Sequence, residues 1–141
     1  MIKFISAADT LPLRSAVLRK NMPLANCVFD RDQDGFHLGA YVDDQLVSVA
    51  TFFPEDYPEY GALGYRLRGM ATDPAFAGKG YGAQLIKFAL EHLKNAGASY
   101  LWCNARSAAA GFYQKLNFEL ISEEFEIQGI GPHFNMSIQI K

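Results

Sequence analysis

Between Met70 and Asn95 an apolar run passes through a glycine-rich turn into an amphipathic stretch, and no other segment restricts the fold as strongly. The turn reads Asp73-Pro74-Ala75-Phe76-Ala77-Gly78-Lys79-Gly80-Tyr81-Gly82. Glycine at every second position leaves backbone N–H groups uncovered and permits positive φ angles. Leu85, Ala89, Leu93 and Ala96 then recur at near-helical spacing, with Ile86 and Leu90 widening the apolar stripe. Unsatisfied N–H groups and the macrodipole both attract anions to such a helix start. The stretch is therefore expected to seat a phosphate-bearing ligand. It specifies a charged ligand before it specifies a reaction.

Several kinds of protein place glycines before a helix. A Walker-type loop requires Ser or Thr directly after Gly-Lys, and here Lys79 is followed by Gly80. Gly78-x-Gly80-x-x-Ala83 meets the loose dinucleotide fingerprint, so a nucleotide-binding domain stays on the table. That fingerprint, however, opens straight from a strand and is followed by an acidic residue about 20 positions on. Pro74 interrupts the approach, and the next apolar strand ends in Cys103-Asn104 without a carboxylate. Glycines that merely allow close packing are the remaining alternative.

A second block lies downstream: Asn104, then Ala109-x-x-Phe112-Tyr113-x-Lys115-Leu116-Asn117-Phe118. Together the two blocks resemble the GNAT superfamily of N-acetyltransferases. The first is similar to its acetyl-CoA loop, "V-x-P-x-x-R-G-x-G-x-G", and the second to "N…A-x-x-[LF]-Y-x-K-L-G-F". Thr72 stands for the usual Val, Ala77 for the usual Gln or Arg, and Asn117 for Gly. The ending Gly129-Ile130-Gly131-Pro132-His133-x-x-Met136 also resembles a little-characterised bacterial subgroup of that family.

The 141 residues have a single domain's length, and half of them are apolar, enough for one sizeable core. Net charge is −2 and no basic run exists, which argues against a broad nucleic-acid footprint. No stretch approaches about 18 uninterrupted apolar residues, and no signal-peptide layout is seen. Cys27 and Cys103 are too few for a disulfide scaffold and are not spaced as metal ligands. A soluble, cytoplasmic protein with no metal and no membrane partner is expected.

Taken in order, Ile2–Ile5 reads as a strand, and Asp9 or Thr10 as the cap of a helix through about Lys20. Asn21 to Asp34 is loop-like. Within it Asp30-x-Asp32-x-Asp34-Gly35 starts like a calcium loop, but the twelfth position is Tyr41 rather than Glu, so an acidic solvated turn is expected. Phe36 to Val42 alternates as a strand, and Asp43-Asp44 turns into Leu46–Phe53. An acidic, aromatic loop from Pro54 to Gly61 leads to a strand over Gly64–Thr72. On it Arg66, Arg68 and Met70 should share one face, and Tyr65, Leu67 and Ala71 the other.

Gly97 is placed to stop the long helix. Tyr100–Cys103 is a strand reached by a helical crossover and should lie parallel to the preceding one. Ser107 is expected to cap a helix through Leu116, with Asn117 as its left-handed stop. Phe118–Ile127 and Phe134–Ile140 should close the chain as a hairpin. The resulting fold class is α/β (α+β): a mixed, mostly antiparallel sheet of six or seven strands with one central parallel pair and about four helices, in one domain over 1–141.

The resemblance implies acetyl-CoA as co-substrate and a primary amine of a small molecule or peptide as acceptor. A second copy of the chain is a candidate partner, as a homodimer. By the same analogy Met70, Ala71 and Thr72 face the pantetheine arm, and Ala77, Gly78, Lys79, Gly80, Tyr81, Gly82 and Ala83 form the pyrophosphate loop. Asn104, Phe112 and Tyr113 complete the cofactor site. A GNAT-fold sensor that binds CoA without turnover is the alternative.

Acyl transfer to an alkylamine needs help, because a pKa of about 10.4 leaves only roughly one molecule in 2,000 unprotonated at neutral pH. A general base is worth ~10²–10⁴-fold. The oxyanion needs donors, which N–H groups near Ala71 or Thr72 can supply. Tyr113 occupies the family's acid position and its phenol can donate; the motif favours that role over a core aromatic beside Phe112. The base is open. Arg66 stands where some members carry Glu and cannot serve, being always protonated. His133 is the leading candidate, with His37 and Glu55 behind it, and His92 is placed on the exposed side of the long helix. Arg66 and Arg68 suggest an anionic group on the acceptor and the Glu55–Glu59 loop a cationic amine; an amino-acid-like acceptor satisfies both, and solvated surface charge accounts for them at least as well.

Overall fold

In the computed structural model, which describes residues 1–140, one eight-stranded sheet carries the chain. Its strands are β1 (Ile2–Ile5), β2 (Phe36–Val42), β3 (Gln45–Pro54), β4 (Gly64–Thr72), β5 (Tyr100–Arg106), β6 (Glu119–Leu120), β7 (Phe125–Ile127) and β8 (Gly131–Gln139). They run in the order β1-β2-β3-β4-β5-β8-β6, with β7 also on β8. Only β4 and β5 are parallel, as the crossover through α2 (Tyr81–Asn95) requires. The expected mixed architecture is found, with eight strands, and with three α-helices plus short turns in place of about four helices.

Local chemistry explains most of the joints. Asp43 and Asp44 take φ of 49° and 64°, the pair of left-handed residues that a tight hairpin of the right twist needs. Gly97 (φ 84°) and Asn117 (φ 73°) stop the helices before them. Helix α2 buries Leu85, Ile86, Ala89 and Leu93 against Leu38, Phe52, Leu67 and Leu101 of the sheet. His92 of this helix is half-buried rather than exposed, wedged edge-on against Phe36 at 4.7 Å and Phe4 at 5.1 Å.

Four expectations fail for identifiable reasons. The first helix starts earlier, because Ser6 and Asp9 form a reciprocal capping box with bonds of 3.1 and 3.2 Å. Helix α1 (Ala7–Leu13) then widens into a π turn over Arg14–Leu18. Asp32 does not lie in a solvated acidic turn. It is 5 % exposed and grips the fully buried Arg14 through both oxygens, at 2.7 and 2.8 Å. At the other end Ser107 spends its hydroxyl on Glu124 (2.7 Å) rather than capping α3 (Ala110–Lys115). The closing hairpin is split as well, since the Ser122 hydroxyl accepts the Asn135 N–H at 2.9 Å and replaces a ladder bond between β6 and β7.

The two faces of the sheet differ in chemistry. The α2 face carries the apolar cluster. The α1 face carries Arg14, Asp32, His37 and Thr51 in one hydrogen-bonded network, with Tyr100 and Trp102 beyond it. Strand β4 changes phase between these faces. Val49 pairs with Ala71 but Thr51 pairs with Arg68, so β4 holds one extra residue, and Gly69 takes φ 67° to absorb it. Met70 consequently packs with Tyr65 and Leu67 against the α2 cluster, while Ala71 passes to the α1 face with Arg68. This reverses the strict alternation expected for Met70 and Ala71.

Candidate active site

Strands β4 and β5 pair only through Gly64–Tyr100, Tyr65–Leu101 and Arg66–Trp102. Beyond Arg66 they diverge, and β5 stays with β8 as far as Arg106–His133. Backbone groups of β4 that face the gap past Arg66 thus lack a β5 partner. The gap opens into a cleft of about 1230 Å³ that reaches both faces of the sheet.

On the α2 face the mouth of this cleft is the glycine turn. Gly78 (φ 76°) and Gly80 (φ 87°) are left-handed, and a Cβ at either would meet nothing within 4 Å. They are glycine for backbone conformation, and the space above them is open. Gly80 caps α2 without any side-chain bond, and the first intrahelical bond from this end is Gln84 N–H to the Gly80 carbonyl at 3.0 Å. The amides of Tyr81, Gly82 and Ala83 are therefore orphan donors on a helix of 15 residues with no acidic residue in its first turn. Gly82 faces inward: a Cβ there would lie 3.6 Å from Met70 Sδ, 3.6 Å from the Phe112 ring and 3.8 Å from Thr72 Oγ1.

Met70, Thr72, Ala77, Gly78, Gly80, Tyr81, Gly82, Ala83, Asn104, Phe112, Tyr113 and His133 all line this one cleft. Ala71 and Lys79 do not. Ala71 is buried on the far side of the bulge, and the Lys79 ammonium lies 5.6 Å from the Phe76 ring.

Tyr113 projects from α3 and is 8 % exposed, its ring edge-on to Phe112 and Phe118. Burial pushes its phenol well above the usual tyrosine range, with Cys103 adding to the effect, so the hydroxyl keeps its proton. The Cys103 thiol beside it is likewise pushed up, to about 12, by burial. No thiolate forms there.

His133 enters from β8, beside Arg106. Its Nδ1 lies 2.8 Å from the Gly131 carbonyl, which can only accept, so Nδ1 donates. In the neutral ring Nε2 is then the atom with the free lone pair. Phe125 stacks on the imidazole at 6.1 Å and holds its orientation.

The other candidates for a base sit elsewhere. His37 hydrogen-bonds Thr51 through Nδ1 (2.8 Å) and the Asp32 carbonyl through Nε2 (3.0 Å), and it does not line the cleft. Glu55 is held between Arg66 (3.1 Å) and Arg31 (3.5 Å), and Asp56 accepts the Gly64 N–H at 2.9 Å. Those two carboxylates border a separate pocket of about 430 Å³ near the end of α2.

Sequence reasoning missed the wall formed by Leu18, Arg19, Lys20, Met22 and Phe29. The adjacent Arg19 and Lys20 were the only signal for it in the sequence. Folding alone brings this wall to the cleft.

Known proteins resemble this chain in sequence and in fold. Residues 5–118 match the model of the acetyltransferase (GNAT) family. YitI of Bacillus subtilis, an uncharacterised N-acetyltransferase, is 39 % identical over 138 residues, which cover 96 % of this chain and 93 % of YitI. The fold matches the crystal structure of an N-acetyltransferase candidate from Lactobacillus plantarum with a TM-score of 0.82, at 21 % identity and 99 % coverage of each chain. It also matches an aminoglycoside 6'-N-acetyltransferase complexed with coenzyme A, with a TM-score of 0.81 at 13 % identity, over 100 % of this chain and 97 % of that one. The chain belongs to the acetyltransferase (GNAT) family.

Proposed function

We propose that the protein is an N-acetyltransferase that moves an acetyl group from acetyl-CoA to a primary amine. One observation carries the reading: orphan amides at the α2 start, a gap between two diverging parallel strands and the Tyr113 side chain meet in a single cleft. The residues fit the cofactor. Amides of Tyr81, Gly82 and Ala83, with the open turn at Gly78 and Gly80, suit a diphosphate. The unpaired edge of β4 from Leu67 to Thr72 and Asn104 across the gap suit an amide-bearing arm. Acetyl-CoA supplies the acyl carbon and a sulfur leaving group.

The chain's own residues do the rest. His133 Nε2 takes a proton from the acceptor ammonium or amine as the N–C bond forms. Backbone N–H groups of β4 at the gap stabilise the charge that develops on the carbonyl oxygen. Tyr113 gives its hydroxyl proton to the departing sulfur as the C–S bond breaks. The imidazole and phenol lie on opposite sides of the sheet, which separates the entering amine from the leaving thiol.

The test is acceptor-dependent release of free thiol from acetyl-CoA across a panel of amines. Release that requires an amine supports the proposal. Coenzyme A binding seen by calorimetry, with no release for any amine, would instead make the protein a CoA-binding sensor.

A further inference from the structure

Charge in the cleft is one-sided. Arg19, Lys20, Arg66, Arg68, Arg106 and Lys115 line it, and among the described residues no Asp or Glu does. This is unexpected in a chain whose formal net charge is −2.

The cations are not equivalent. Arg66 is partly neutralised by Glu55 at 3.1 Å and lies over Trp102, 4.8 Å from the ring centroid. Arg68 enters none of the ion pairs among the described residues, and its guanidinium lies over the Phe29 ring at 4.2 Å. Arg19 approaches the same ring at 5.8 Å. Burial, followed by the like charges of Arg66, Arg19 and Arg14, pulls the Arg68 pKa down against the opposing charge of Asp32. All of this lies on the α1 face, because the Gly69 bulge turns Arg68 away from Met70, and Met70 is the neighbour of Gly82 in the cofactor turn. A diphosphate at the α2 start therefore sits across the sheet from Arg68.

We infer that the acceptor is an amine that also bears an anionic group, a carboxylate or a phosphate, which Arg68 binds with support from Arg19. The inference rests on the acyl-transfer reading for the identity of the cleft. Phe29 fixes the guanidinium plane from one side, leaving its N–H fork for a planar or tetrahedral oxyanion. Three of the five wall residues, Leu18, Met22 and Phe29, are apolar, so an acceptor with a hydrophobic body is accommodated beside the anion. Polycationic amines are disfavoured, because no carboxylate among the described residues faces them and six cations do.

The experiment is calorimetry on protein preloaded with coenzyme A, which reads acceptor binding without turnover. Matched pairs differ only in the anion: L-leucine against isoamylamine, and O-phosphoethanolamine against ethanolamine, with spermidine as the polycation. The anionic member of at least one pair is expected to bind roughly tenfold or more tighter, the range of a charge-assisted hydrogen bond. A preference in the first pair alone assigns a carboxylate, in the second alone a phosphate. Arg68→Gln should bring the preferred pair to within about threefold, Arg68→Lys should keep part of the preference, and coenzyme A affinity should not change in either. Equal binding within both pairs, tighter binding of spermidine, or an undiminished preference in Arg68→Gln overturns the inference. If anionic amines bind in an Arg68-dependent way and no amine ever releases thiol, the acyl-transfer reading fails and the ligand class stands.

Discussion

Arg68 and Met70 stand two positions apart on β4 yet project from opposite faces of the sheet. An unbulged strand would put them side by side. The extra residue at Gly69 sends Met70 to the apolar cluster behind the cofactor turn and keeps Arg68 over Phe29 on the other face. One backbone irregularity thus divides the cleft into a half beside the glycine turn and a half beside Arg68.

Gly69→Ala should damage that division and the fold together. Gly69 has φ 67°, and a Cβ there would lie 2.7 Å from the Phe29 ring and 3.2 Å from Arg14 Nε. A left-handed alanine and an overpacked contact together cost about 2–4 kcal/mol. Urea unfolding should show the midpoint dropping accordingly, and a wild-type midpoint would mean that the bulge relaxes freely.

Gly82→Ala separates ligand binding from stability. Its new methyl would make ordinary contacts of 3.6 to 3.8 Å with Met70, Phe112 and Thr72, so folding should be unaffected or slightly improved, alanine being the better helix former. The same methyl occupies the mouth of the cleft. Coenzyme A affinity should fall about tenfold by calorimetry, with no loss in thermal midpoint. Unchanged affinity would move the cofactor away from this turn.

Why the turn was readable and the wall opposite was not has a physical answer. Glycines at 78, 80 and 82 with an apolar stripe behind them are local features, and local geometry follows from them directly. The Tyr113 block is similarly contiguous. Arg14 gave no local sign that it would be fully buried, because its partners Asp32 and Thr51 are 18 and 37 residues away. That network also explains why Asp32, the middle acid of an apparently solvated Asp-x-Asp-x-Asp turn, is interior while Asp30 and Asp34 stay exposed. The bulge escaped detection for a related reason: Gly69 fits an alternating strand equally well until the register with β3 is known. His133 was legible as a residue type only, and its proton assignment depends on the Gly131 carbonyl two residues back.

Tyr113→Phe removes the proposed acid while keeping the ring packing. No hydrogen bond holds the hydroxyl among the described residues, so stability should stay within about 0.5 kcal/mol. The turnover number should fall roughly 10²-fold or more, with coenzyme A affinity unchanged. Retained turnover would leave the leaving sulfur unprotonated or protonated by water.

His133→Gln tests the other proton. Glutamine can keep a donor toward the Gly131 carbonyl but offers no basic nitrogen. Turnover at neutral pH should fall roughly 10²-fold, and raising the pH should recover part of it as free amine accumulates. A variant as active as the wild type would shift the base to water.

Acid should weaken the fold through the network beneath Arg68, and the direction follows from two depressed pKa values. Burial lowers the His37 pKa below 6.5, against the opposing pull of the Asp32 carbonyl and charge, with Arg14 adding to the lowering. Burial alone would raise the Asp32 carboxyl, but the bonds from Arg14 and the Phe29 N–H, with the charges of Arg14 and His37, hold it below 3.8. In both cases the unfolded chain binds more protons than the folded one, so stability falls as pH falls. The His37 contribution is complete above the ordinary histidine range and fades first. That of Asp32 is complete above the ordinary carboxylate range and fades last, as the folded carboxyl protonates and leaves Arg14 buried without its partner. Urea midpoints measured from pH 7 to pH 3 should decline in those two stages. His37→Gln should flatten the first stage and leave the second, whereas Asp32→Ala should lower the midpoint at every pH by the equivalent of about 3–5 kcal/mol. A first stage that survives in His37→Gln would assign it to other groups and remove His37 from the account.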